Sequence, residues 1–155
     1  MDGTKRERLK EQHRFSEWAG RSTLPRERRV EAPAFTGKEL PGWTLERTKG
    51  QTTFWRRGTS DAVVRIDIFA GESVDAAHEY LVDALGEFES SAIRRRTDAA
   101  IGDVAFGTET VTLFARGNLV VVVRNAGREI VPVTAIARAV DAAVVGRPEE
   151  RGRPA

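Results

Sequence analysis

Histidine is the side chain most often recruited for proton transfer near neutral pH. It occurs twice in this chain, as His13 and His78. His13 lies in a charged N-terminal stretch. His78 follows Ala77 on a helical pattern, off the Ala77/Leu81/Leu85 stripe, and reads as a solvated surface residue rather than a base or metal ligand. A serine nucleophile would need a strained turn of the Gly-x-Ser-x-Gly type, and none is present; Ser60 and Ser73 read as a turn residue and a helix cap. Asp67 stands two positions from Arg65 on an alternating strand, so the two share a face and read as an ion pair. Asp61, Asp103 and Asp141 lack the spacing of a calcium loop, and no glycine run matches a phosphate-binding loop. Cysteine is absent, which excludes a thiolate nucleophile, a disulfide and Cys-ligated metal. These residues predict no catalytic group, no metal and no cofactor.

The remaining chemistry is basic and aromatic. Trp55 and Arg57 share one face of a strand, and pairing with the next strand brings Arg65 toward them. Arg94, Arg95 and Arg96 form a short basic run. An aromatic ring flanked by guanidiniums can stack on a planar ligand while the arginines take phosphate or carboxylate. The same residues also read as core (Trp55, with Phe114 in the matching place of a second unit) and as a charged sheet edge (the arginine run).

The elements that carry these residues follow from periodicity. Trp43–Thr48, Gln51–Arg57 and Ala62–Phe69 read as strands joined by Lys49-Gly50 and a Gly58–Asp61 turn. Val64, Ile66 and Ile68 alternate with Arg65 and Asp67, so this strand has one dry and one wetter face. Ser73 caps a helix over Val74–Phe88, with Asp75 in its first turn. Ala92–Thr97 reads as a short edge strand, Asp103–Gly107 and Thr110–Arg116 as further strands, and Gly117-Asn118 as a tight turn needing φ > 0. Leu119–Val123 is apolar without alternation, which places it centrally, covered on both faces. A last helix begins at Pro132 and is stopped by Gly146 and Pro148.

The chain also repeats itself. TFWRRG (53–58) and TLFARG (112–117) each precede an apolar strand, an Ala-Gly pair and a helix containing Val-Asp-Ala. The expected fold class is α+β: an antiparallel sheet of about six to seven strands with two helices on one side and a β-β-β-α internal duplication. Residues 1–41 read as a charged tail and linker, partly helical, broken by Pro25, Pro33 and Pro41. A helix over 5–19 carries Phe15 and Trp18, either solvated or forming a partner-binding arm. Residues 42–146 form one domain and 147–155 a disordered tail.

Composition narrows the function class. The 155 residues carry 25 basic and 23 acidic side chains, a formal charge of +2. That balance is weak support for nucleic-acid binding. The cations are mostly arginine, which with abundant Ala, Val and Gly suggests a GC-rich, bacterial coding sequence. No apolar stretch is long enough to span a membrane, and no apolar segment follows the N-terminal charges as in a signal peptide. The expected location is the cytoplasm if Met1 starts the natural chain, and a secreted or lipid-anchored protein if Met1 marks a trimmed one.

Residues 102–125 (GDVAFGTETVTLFARGNLVVVVRN) and 132–146 (PVTAIARAVDAAVVG) resemble the C-terminal half of small bacterial α+β modules. These are the extracellular sensor domains of actinobacterial serine/threonine kinases and related lipoproteins; the pattern is also similar to the PsbP-like fold. The resemblance implies a sheet closed by an Ala-rich helix and assigns a role to no residue. The expected function is a non-enzymatic binding or interaction module, with a protein partner or a second copy of the chain. A small-ligand or enzyme domain with a pocket between sheet and helices is the first alternative, and a weak nucleic-acid binder the second.

Overall fold

The computed structural model describes residues 3–25, 29–88, 92–97 and 100–152. The chain runs α1 (Gly3–Gln12), a short 3-10 helix (Phe15–Glu17), β1 (Trp43–Lys49), β2 (Thr52–Arg57), β3 (Val63–Ala70), α2 (Val74–Glu87), β4 (Arg94–Arg95), β5 (Val104–Gly107), β6 (Val111–Arg116), β7 (Leu119–Asn125) and α3 (Thr134–Gly152). The seven strands form one sheet in the order β1-β2-β3-β7-β6-β5-β4, antiparallel throughout. The fold is α+β, as the strand and helix patterns predict.

The last strand, β7, is the middle of the sheet, and Leu119–Val123 is buried on both faces. Leu119, Val121 and Val123 join Trp55, Val64, Ile66, Phe114, Val133, Ala137 and Val140 in one core cluster. Val120 and Val122 join Ala77, Leu81, Leu85, Phe106 and Leu113 in a second. Helix α3 therefore packs on one face and α2 on the other. The expectation of two helices on one side is corrected here, and the reason was already in β7: a strand without alternation needs cover on both sides.

The same placement limits the repeat. Trp55 of β2 and Phe114 of β6 face the same core, and the order β1-β2-β3 mirrors β5-β6-β7 about the β3/β7 pair. That order alone would allow a twofold axis normal to the sheet. Such a rotation keeps every residue on its own face, so it cannot carry α2 onto α3. The strand meanders are alike; the strand-helix units are not.

Local signals act as expected. Ser73 Oγ accepts the Ala76 N–H (3.0 Å) and caps α2. Gly117 has φ 58°, with positive φ at the first central position alone, the pattern of a II′ hairpin. Helix α3 passes Gly146 and Pro148, where it was expected to stop, and continues to Gly152.

The segment before Gly42 lies against the rest of the chain. Arg6 makes a bidentate contact with Asp83 of α2 (2.9 and 2.8 Å), and Lys10 pairs with Glu79 (2.8 Å). Trp18 is fully buried in the second core, edge-on to Phe106 and His78 (5.4 Å each), and its indole N–H donates to the His13 carbonyl (2.9 Å). Thr23 donates to Asp103 through N–H (3.0 Å) and hydroxyl (2.7 Å). Asn118 exchanges two hydrogen bonds with the Val30 backbone and donates a third to the Gly71 carbonyl. Trp18 thus anchors the arm on its own domain.

Both histidines sit at this seam. His78, expected at the surface, is fully buried and accepts the Gly20 N–H at Nδ1 (2.9 Å). The arm turns a second face of α2 inward, which the α2 stripe alone does not reveal. Burial holds His13 below its ordinary pKa. Unfolded, His13 titrates near about 6.5, so the unfolded chain binds the extra proton. The stability contributed by neutral His13 is therefore present above that value and is lost as pH falls through the lower folded value. Between about pH 7.5 and about pH 5, the arm is expected to become protease-sensitive and Trp emission to shift red before the far-UV signal of the sheet is lost. Simultaneous loss of all three signals would refute an acid-labile arm.

Candidate surface for partner recognition

The residues singled out from sequence do not form one patch. Trp55 is fully buried, edge-on to Phe35 (5.7 Å), with its indole N–H donating to Thr53 Oγ1 (2.9 Å). It is core and unavailable to a surface ligand. Arg57 is exposed, ion-paired with Glu129 and 5.9 Å from the Trp43 ring. Arg94–Arg96 lie at the opposite edge of the sheet from β1 and β2. There Arg94 is exposed, Arg95 pairs with Glu17 (3.2 Å) and Arg96 donates to the Thr108 carbonyl (3.1 Å).

Arg65 belongs to a different surface. In register it stands opposite Phe54, while Trp55 stands opposite Val64. Arg65 and Phe54 therefore point away from the Trp55 core, on the side of the sheet that α2 occupies. Helix α2 packs there on β6 and β7 and reaches the end of β3 through Tyr80, stacked on Phe69 at 3.9 Å. The β1-β2-β3 half of that face stays partly open.

One cross-strand row runs over this open half. Arg47 pairs in register with Phe54, Phe54 with Arg65, and Arg65 with Arg124. At the usual strand spacing the row spans about 14 Å. The Arg47 guanidinium lies 4.2 Å from the Phe54 ring centroid, and that of Arg65 lies 5.9 Å from it on the next strand. Arg124 lies 5.4 Å from the Phe88 ring. Glu46, Arg47, Phe54, Arg56, Val63 and Ala126 line a shallow depression of about 540 Å³ at one end. A β-bulge between Leu45 and Arg47 turns Arg47 onto this face.

Such a row costs stability. Arg65 and Arg124 are like charges directly opposite one another, an unfavourable cross-strand pair. Arg124 Nε is buried without a hydrogen-bond partner among the described residues. Asp67 offsets part of this. Its Oδ2 accepts from Arg65 Nε (2.9 Å) and Arg124 Nη2 (3.3 Å), and its Oδ1 accepts from Arg65 Nη2 (3.2 Å) and from the Thr52 hydroxyl. Burial pushes the Asp67 pKa up, but the hydrogen bonds from Thr52, Arg65 and Arg124 and the Arg65 charge outweigh it, so it stays below the usual carboxylate range. Arg56 pairs with Glu46 (2.7 Å). Arg47 has no carboxylate partner among the described residues.

Sequence reasoning missed Phe54, Arg47 and Arg124. The signal was available in the hairpin: closing β2 onto β3 through the 58–61 turn sets Phe54, not Trp55, opposite Arg65. Among the described residues no cluster of His, Asp and Glu could hold a metal ion, and no helix is long and apolar enough to cross a membrane. No family model, no curated protein and no solved structure matches the chain.

Proposed function

We propose that this chain is a non-enzymatic interaction module that recognises an acidic segment of a partner protein through the Arg47–Phe54–Arg65–Arg124 row. The observation that carries the reading is a phenyl ring flanked by two guanidiniums on a sheet half that the described helices leave partly open. A guanidinium held against a ring can keep its N–H edge for a carboxylate; the Arg65 edge is occupied by Asp67, and Arg47 is the one of the two with no carboxylate partner among the described residues. The same arrangement works against nucleic acid, because a base would have to displace a guanidinium to stack on Phe54. Among the described residues the Thr52 hydroxyl does meet the Asp67 carboxylate, but Arg65 and Arg124 hold that carboxylate below its usual range and make it a poor base, which favours this reading over an enzyme.

The test is fluorescence anisotropy with a labelled hexaglutamate peptide, mapped by amide chemical shifts. Binding is expected to perturb β1–β3. Phe54→Ala retains every charge and is expected to weaken binding by roughly tenfold, the loss typical of an interface anchor. Arg47→Ala is expected to do the same. Equal affinity for Phe54→Ala and the unaltered protein would sink the reading, since only diffuse charge would then be involved.

A further inference from the structure

We infer that Asp67 determines the specificity of this face: it admits a carboxylate at Arg47 and keeps polyphosphate chains off the row. The inference rests on the carboxylate-recognition reading above. Three arginines in a row would otherwise suit a phosphate backbone, which is the usual ligand of clustered guanidinium groups. Asp67 places one negative charge among them. It is hydrogen-bonded to both Arg65 and Arg124 and fixed from below by Thr52. Those two guanidiniums are thus already bridged by a carboxylate of the chain itself.

Geometry separates the two ligand classes. Arg47 lies two strands away from Arg65 and its neighbour Asp67 in the sheet order, about 9.6 Å at ordinary strand spacing. That is close to the screening length of about 10 Å at 0.1 M salt. A single carboxylate docked on Arg47 and the edge of Phe54 is largely screened from Asp67. An extended acidic peptide turns alternate carboxylates to opposite sides, whereas a nucleic-acid strand carries its charges in the chain itself, one per nucleotide. Such a strand cannot follow the row from Arg47 to Arg124 without setting a phosphate beside Asp67. Because Arg65, Arg124 and Thr52 all bond the ionised form, mild acid does not relieve the repulsion.

The experiment compares the unaltered protein with Asp67→Asn and Asp67→Glu. Each is titrated by anisotropy against labelled hexaglutamate and a labelled twelve-nucleotide oligothymidylate, at low and moderate salt. The unaltered protein and Asp67→Glu are expected to prefer the peptide. Asp67→Asn is expected to shift the ratio of the two affinities at least tenfold toward the oligonucleotide, with binding that weakens steeply with salt. Asp67→Thr, neutral and favourable in strands, replaces Asp67→Asn if the latter does not fold. An unchanged ratio in the folded neutral variant, or oligonucleotide binding by the unaltered protein as strong as that of the variant, overturns the inference. If peptide binding is lost with Phe54→Ala while the ratio stays fixed, this inference alone fails. If Phe54→Ala has no effect, the underlying reading fails first.

Discussion

Trp18→Ala is expected to destabilise the protein by roughly 3–5 kcal/mol, the range for truncating a buried aromatic residue. Trp18 has no exposed surface and packs in the core of Ala77, Leu81, Phe106 and Leu113. It touches Phe15, His78 and Phe106 edge-on. Removing it empties that site and unpins the arm, so the Gly20–His78 hydrogen bond would lose its support. A domain of this size holds about 5–15 kcal/mol in total, so the urea midpoint is expected to fall by a large fraction. Trp18→Phe fills most of the space and is expected to cost much less. A loss under about 1 kcal/mol for Trp18→Ala would show that the first 25 residues are an accessory rather than part of the core. The ion pairs of α1 cannot substitute for Trp18, since partly exposed pairs contribute little and are screened by salt.

Asp141→Ala is expected to cost a similar amount, roughly 3–5 kcal/mol, through a different mechanism. Arg116 and Asp141 have 14% and 8% of their side-chain surface exposed. Asp141 accepts from Arg116 Nε (3.0 Å) and Nη2 (2.7 Å) and from the Gly102 N–H (2.8 Å). Asp103 takes Thr23, the Gly117 N–H (2.6 Å) and Arg116 Nη1 (3.4 Å). Burial disfavours the Arg116 charge, but the hydrogen bonds and charge of Asp141, with Asp103 behind them, outweigh it and raise its pKa. Deleting Asp141 strands a buried guanidinium on one carboxylate and orphans Gly102. Replacing the pair together, Arg116→Met with Asp141→Leu, removes the stranded guanidinium while Asp103 keeps its hydrogen bonds from Thr23 and Gly117, and is expected to cost less than the sum of the two single losses. Chemical denaturation of the two single variants and the double variant measures the coupling. Additive losses would mean that the pair is not a unit.

The strands were legible because period-two alternation and turn residues are local signals. Ser73, Gly117 and the Leu119–Val123 run each did what their chemistry predicts. Three features were not legible, each for a physical reason. Whether Phe54 or Trp55 faces the core depends on which side of the strand is covered, and TTFWRR offers an aromatic to either side. The burial of Trp18 and His78 depends on the arm and α2 meeting, a contact between residues about 60 apart that no window detects. The arginine row depends on register across four strands, so Arg47, Arg65 and Arg124 look unrelated in the sequence. The apolar β7 run did hold the information that the helices lie on opposite sides, because a strand without alternation is covered on both faces.

The central position of β7 has a consequence for synthesis. On the ribosome, β1, β2 and β3 emerge first, and β3 then waits for β7, which begins at Leu119, 49 positions after the end of β3 at Ala70. Until residue 125 clears the exit tunnel, β3 offers an open hydrogen-bonding edge next to Val64, Ile66 and Ile68. Nascent chains of this kind are drawn to strand-pairing partners in trans. A stalled chain ending before Leu119 should therefore recruit holdase chaperones strongly, and release should coincide with the appearance of β7.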